Sequence, residues 1–174
     1  AIMTSPGHRS GTDRVAEAAS ITGGDIIVNV QGDEPFIEQS VIEGVVQTII
    51  GDDGIVCSTA ASPIDDELEY TDPNAVKVVI DTNGRALYFS RSPMPFWRDG
   101  DFGGAYLHTG IYCFRRDFLM LYAGLEQTPL ECAEKLEQLR ILEHGYRIGV
   151  HVSNYRSFGI DTERDLERAC RMMR

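Results

Sequence analysis

Apolar and polar positions change period several times along the chain, and each change marks an element. Residues 12–19 place Val15, Ala16 and Ala19 on one side of a helix. Residues 26–30 form a short, mostly apolar run of the kind found in strands covered on both faces. Helical spacing returns over 38–50, with Val41, Val45 and Ile49 in one stripe, and 55–60 reads as a second strand. Residues 75–81 and 85–90 flank Asn83-Gly84, a dipeptide suited to two positive-φ turn positions, and so predict a hairpin. Residues 91–104, rich in Pro, Gly, Asp and aromatic side chains, predict a loop. Residues 107–115 alternate as a strand, and 130–144 are helical up to Gly145. A strand over 147–153 and a helix over 162–173 follow, the helix opened by Thr162 with Asp165 three residues on.

Strands alternating with helices predict an α/β fold with a mixed sheet, antiparallel around the Asn83-Gly84 hairpin. A chain of 174 residues suits one domain with its own core. No apolar run approaches the roughly 18 residues that span a bilayer, so no membrane partner is expected. The net charge of -11 repels polyphosphate backbones and counts against nucleic acid. It still admits a small anionic substrate where local cations offset the field. Cys57, Cys113, Cys132 and Cys170 are scattered without zinc or disulfide spacing, which fits four reduced thiols in a cytoplasmic protein. The opening stretch AIMTSPGHRSGTDR lacks the apolar core of a secretory leader and enters what reads as a functional loop.

Four stretches carry candidate chemistry. In Val28-Asn29-Val30-Gln31-Gly32-Asp33-Glu34-Pro35 a buried strand runs into Gly-Asp, and ligands in open α/β sheets sit beyond strand carboxyl ends. Asp33 there either offers an oxygen ligand to Mg²⁺ or closes an Asx-turn. In Phe158-Gly159-Ile160-Asp161-Thr162-Glu163 a second carboxylate stands between strand and helix, as a metal ligand or as a cap. The stretch from His8 to Arg14 offers hydroxyls, glycine and helix-start N–H groups to a nucleotide, or simply caps a helix at Ser10 or Thr12. A central set follows: Arg91, His108, Tyr112 and Glu137-Gln138-Leu139-Arg140. His108 and Tyr112, four apart on a strand, face one side. Such groups can hold a polyhydroxylated carboxylate, with arginine binding bidentately, while Glu137 and Arg140 equally suit a helix-surface pair.

Taken together, HRSGTDR, IIVNVQGDEPFI, DPNAVKVVID, ALYFSRSPMPF, LHTGIYCFRRDFL, LECAEKLEQLRILEHGYRIGV and GIDTERDLER resemble, in this order, the CMP-Kdo synthetases, where Kdo is 3-deoxy-manno-octulosonate. The resemblance implies a Rossmann-like, GT-A-like nucleotidyltransferase fold: one domain over 1–174, a mixed sheet flanked by helices, and a sugar-binding and dimerisation sub-region around 85–145. It implies transfer of CMP from CTP to the anomeric hydroxyl of Kdo with release of pyrophosphate, for lipopolysaccharide synthesis in the cytoplasm, by a Mg²⁺-dependent homodimer. The family's metal-binding, catalytic aspartates fall on Asp33 and Asp161, its nucleotide contacts near Ser10, Gly11, Thr12 and Gln31, and its sugar contacts on Arg91, His108, Tyr112, Glu137 and Gln138. The strand over 107–115 is the expected dimer interface. A CMP-sialic acid synthetase-like enzyme is the alternative, disfavoured by the LHTGIYCFR and LEQLR blocks.

Members of the family begin with a strand and a loop of the form PARxxSxRxPGKP that grips the triphosphate, and nothing like it precedes Ala1. The chain is therefore expected to be a fragment without that segment and inactive by itself. The strand over 26–30 is then expected to have an unpaired edge.

Overall fold

The computed structural model describes residues 1–8, 10–32, 34–100, 102–156, 159–160 and 163–172. Six strands form one sheet: β1 (Ile26–Val30), β2 (Cys57–Ile64), β3 (Lys77–Ile80), β4 (Ala86–Ser90), β5 (Ala105–Arg115) and β6 (Ile148–Val152). The order β4-β3-β5-β2-β6 has β1 added to β5. The eleven-residue β5 carries β2 along one edge, from Ala105 to Phe114. Its other edge is shared by β3 at Leu107 and β1 at Ile111 to Arg115. β5 runs antiparallel to all three, and β2 and β6 are parallel, so the sheet is mixed as expected.

Helix α1 (Gly11–Thr22) buries Ala16 and Ala19 on one face of the sheet, and α2 (Gln39–Gly51) buries Val41, Val45 and Ile49 on the other. β2 (CSTAASPI) sits between them with seven of its eight residues buried, which its small side chains permit. A methyl group on Gly149 of β6 would lie 2.6 Å from Ile55 Cδ1 and 2.7 Å from Thr48 Cγ2, so the absence of a side chain lets α2 approach. The hairpin forms at Asn83-Gly84 as predicted, but of the two turn residues only Gly84 takes positive φ, at 76. The Asp81 carboxylate accepts from the N–H groups of Asn83 (2.8 Å) and Arg85 (2.9 Å).

Two short helices lie where no helix was expected. α3 (Glu67–Thr71) is capped by Asp66, whose side chain accepts from the Leu68 N–H. α4 (Arg116–Tyr122) buries Phe118, Leu119 and Tyr122 against α1. The single helix expected over 130–144 is in fact two, α5 (Pro129–Glu134) and α6 (Gln138–Glu143). They meet at Lys135, which takes the left-handed conformation at φ 57 and donates its N–H to Glu131 O. Leu136, between the two helices, and Leu139 and Ile141 of α6 bury into one core, so the apolar stripe runs on past the break. The last helix, α7 (Glu163–Met172), falls where expected.

β1 has the predicted bounds but less cover than predicted: Val30 is 38% exposed, and β5 is its sole strand partner among the described residues. Among the described residues, β1, β2 and β3 take up the two edges of β5 over most of its length.

Candidate active site

The site is assembled where the start of α1, the end of β1, the middle of β5 and the α5–α6 corner converge. Ser10 is the N-cap of α1, and its hydroxyl accepts from Asp13 N–H at 3.2 Å, which decides between the two capping candidates. Thr12 instead turns inward, is 6% exposed, and donates its hydroxyl proton to Glu137 Oε2 at 2.9 Å. Gln31 follows β1. A methyl on Gly110 would lie 3.4 Å from Gln31 Cγ, and one on Gly11 would lie 4.0 Å from Gln31 Oε1. These two glycines leave the glutamine room between α1 and β5.

His108 and Tyr112 share a face of β5 as predicted, with ring centroids 5.5 Å apart, and Phe89 meets His108 edge-on at 5.1 Å. His108 Nε2 lies 2.9 Å from Thr59 Oγ1, which also lies 2.7 Å from the Ile111 carbonyl. A hydroxyl has one proton, and the carbonyl can only accept. The Thr59 proton therefore goes to Ile111, His108 Nε2–H donates to Thr59, and Nδ1 remains as the ring's acceptor. Burial lowers the His108 pKa to about 4, so the ring is neutral at pH 7. Burial also raises the pKa of Tyr112, keeping its phenol protonated as a donor.

Gln138, at the first position of α6, is 4% exposed, and its Nε2 has no hydrogen-bond partner among the described residues. The same holds for Asn29 Nδ2, at 6% exposure on β1 opposite Tyr112. Buried amide donors without partners are costly, and they suit a cleft built for ligand oxygens. Asn29 was missed from the sequence. Its signal was a polar residue inside an apolar strand, two positions before Gln31 and so on the same face.

Two expectations change. Arg91 is already engaged: Nε donates to Glu134 O at 2.9 Å and Nη1 to Pro73 O at 3.1 Å. Its guanidinium is thus held against backbone rather than presented as an open fork. Arg140 is neither a surface partner of Glu137 nor a carboxylate receptor. It is buried with Glu131, donating from Nε at 2.7 Å and Nη2 at 2.5 Å, with side chains 7% and 4% exposed. Burial pushes the Glu131 pKa up, but the Arg140 hydrogen bonds and the Thr128 N–H outweigh it and hold the carboxylate below its ordinary range.

Asp33 and Asp161 lie outside the described residues. Among the described residues no group of three or more His, Cys, Asp or Glu side chains could hold a metal ion. All four cysteines are free. Cys57 and Cys113 are buried, and burial raises both thiol pKa values, that of Cys113 to about 11. Neither is a thiolate at neutral pH.

A sheet flanked by helices, with polar groups gathered beyond the end of β1, is the architecture of nucleotidyltransferases. HddC from Yersinia pseudotuberculosis shares the fold, with a TM-score of 0.64 at 13% identity over 94% of this chain and 62% of that one. A family model described as cytidylyltransferase matches residues 1–148. The 3-deoxy-manno-octulosonate cytidylyltransferase of Solibacter usitatus is 49% identical over 99% of this chain and 69% of its own length. That of Geobacter metallireducens is 48% identical over 95% and 70%. A solved CMP:2-keto-3-deoxy-manno-octonic acid synthetase complexed with CTP has a TM-score of 0.93 at 39% identity, covering 99% of this chain and 71% of that one. The chain belongs to the 3-deoxy-manno-octulosonate cytidylyltransferase family.

Proposed function

We propose that the protein carrying this sequence, in its full length, transfers the cytidylyl group of CTP to the anomeric hydroxyl of Kdo, giving CMP-Kdo and pyrophosphate for lipopolysaccharide synthesis in the cytoplasm. Beside family membership, the observation that carries this reading is the Thr12–Glu137 hydrogen bond, which joins the expected nucleotide side to the expected sugar side in one cleft. The Kdo oxygen attacks the α-phosphorus and loses its proton, while the bond to the β-phosphate oxygen breaks and pyrophosphate leaves with the electron pair. A direct displacement needs positioning and charge neutralisation rather than a side-chain nucleophile. The protonated, buried Cys57 and Cys113 fit that requirement.

In this reading Ser10, Gly11, Thr12 and Gln31 hold the nucleotide through helix-start N–H groups and a side-chain amide. His108 accepts a sugar hydroxyl proton at Nδ1, and Tyr112 and Gln138 donate to sugar oxygens. Glu137 accepts from a hydroxyl, and Arg91 supplies a nearby positive charge for the carboxylate. Mg²⁺, held by Asp33 and Asp161, would offset the triphosphate charge and lower the pKa of the attacking hydroxyl.

The test is a substrate panel. The full-length protein with CTP and Mg²⁺ is offered Kdo or sialic acid, and CMP-sugar and pyrophosphate are quantified. CMP-Kdo alone is the expected product, and turnover of sialic acid but not Kdo would overturn the assignment.

A homodimer is part of the same proposal, with its contact at the start of β5 and the loop before it. Phe96 (85% exposed), Trp97 and Tyr106 (each 37%) form an exposed aromatic surface within the 85–145 sub-region. Light scattering at micromolar concentration should give twice the chain mass, and substitution of Phe96 and Trp97 by serine should return the monomer.

A further inference from the structure

α5 and α6 have six residues each, too few to hold their shape unaided. Glu137, between them, does not cap its own helix, because its carboxylate is turned to Thr12. The geometry of the Glu137-Gln138 corner must therefore be set from outside. Tyr122, the last residue of α4, is 1% exposed and donates its hydroxyl proton to the Glu137 carbonyl at 3.0 Å. The same carbonyl accepts the Arg140 N–H at 3.2 Å. The Arg140 guanidinium lies over the Tyr122 ring, 4.7 Å from its centroid, and is pinned by Glu131. Glu131 in turn accepts from the Thr128 N–H at 3.3 Å and from Gln127 Nε2 at 3.2 Å. Ring face, guanidinium and hydroxyl thus fix one point of the corner from three directions. Burial keeps the phenol protonated across the working pH range, so it is a constant donor.

We propose that Tyr122 is a positioning residue for cytidylyl transfer: its hydroxyl fixes the main chain at Glu137, so that the Glu137 carboxylate and Gln138 amide meet the sugar acid rather than the nucleotide. The inference rests on the function proposed above. A buried tyrosine always seeks a partner for its hydroxyl, so burial alone would mark a structural residue. The partner marks it otherwise, because the carbonyl it holds belongs to the residue whose carboxylate reaches the cleft.

Tyr122→Phe keeps the ring, its volume and the contact with Arg140 and removes only the hydroxyl. In the full-length enzyme the variant should raise KM for Kdo by about three- to tenfold, the change a lost neutral hydrogen bond brings. KM for CTP should stay close to wild type, and the thermal midpoint should fall only by the few degrees that one lost neutral hydrogen bond brings. Hydrogen exchange at the Arg140 amide, which shares the Glu137 carbonyl, should quicken while α2 amides do not. Equal shifts in both KM values, or none, with wild-type exchange at Arg140, would overturn the inference and leave the functional reading standing. A wild-type enzyme that fails to turn over Kdo would overturn both. A second variant, Tyr122→Leu, should lose stability as well as Kdo affinity, separating packing from positioning.

Discussion

Thr12 and Glu137, 125 positions apart in sequence, are joined by a 2.9 Å hydrogen bond from hydroxyl to carboxylate. The bond ties the first turn of α1 to the α5–α6 corner. If it holds the two sides of the cleft together, Thr12→Val and Glu137→Ala should not be additive. A double-mutant cycle in urea should give a coupling above about 0.5 kcal/mol, as for residues in direct contact. Thr12→Val alone should cost about 1–3 kcal/mol, since it leaves a carboxylate oxygen without its donor. Additive effects would mean that the contact does not act as a tie.

His108 makes stability depend on pH in a defined window. Its folded pKa is depressed to about 4 by burial, against 6.5 for an exposed histidine. Below about pH 6.5 the unfolded chain binds a proton that the folded ring refuses, so stability falls as pH falls from about 6.5 to about 4. Above 6.5 this group contributes no slope. His108→Gln should remove that component, so the drop in urea midpoint between pH 7 and pH 5 should be smaller than in wild type. Parallel pH profiles would show that the ring is not shielded as the structure has it.

The Glu131–Arg140 pair predicts an asymmetry between single and double substitutions. Arg140→Met strands a buried carboxylate and should cost about 3–5 kcal/mol, whereas replacing both partners with Met should cost less than that single change. Chemical denaturation of the three variants checks it. A double variant less stable than Arg140→Met would contradict the account.

Mg²⁺ dependence is the simplest check on the proposed metal chemistry. Chelation by EDTA should abolish CMP-Kdo formation, and added Mg²⁺ should restore it. Asp33→Asn should preserve the far-UV circular dichroism and thermal midpoint yet lower kcat by orders of magnitude, since charge stabilisation is often the largest catalytic contribution. Full activity in EDTA would remove the metal from the mechanism.

The elements legible in the sequence are those whose burial is simple. β1 has its predicted bounds because a run of apolar residues is closed by Gly24-Asp25 before it and Gln31-Gly32 after it. α2 reads correctly because Val41, Val45 and Ile49 all face the sheet. Period-two spacing correctly put His108 and Tyr112 on one face. The α5–α6 break was not legible, because Leu136, Leu139 and Ile141 keep a helix-like stripe through it and Lys135, not glycine, takes the left-handed turn. That hidden corner also concealed the true partner of Arg140. On one continuous helix Glu137 would be its neighbour, whereas the turn delivers Glu131 instead. α4 escaped because seven residues offer barely two turns of pattern.

The position of β5 also sets an order of events for folding. Among the described residues β1 pairs only with β5, and β2 only with β5 and β6, so neither has a strand partner encoded before residue 105. A chain emerging from the ribosome can close the β3–β4 hairpin early, but β2, which has β5 and β6 on its two edges, must wait with its backbone groups unpaired until β5 is synthesised. The waiting β2 is neutral and apolar enough to meet other chains meanwhile. Slow translation between residues 64 and 105 should therefore lower the soluble yield, and slow translation after residue 115 should not.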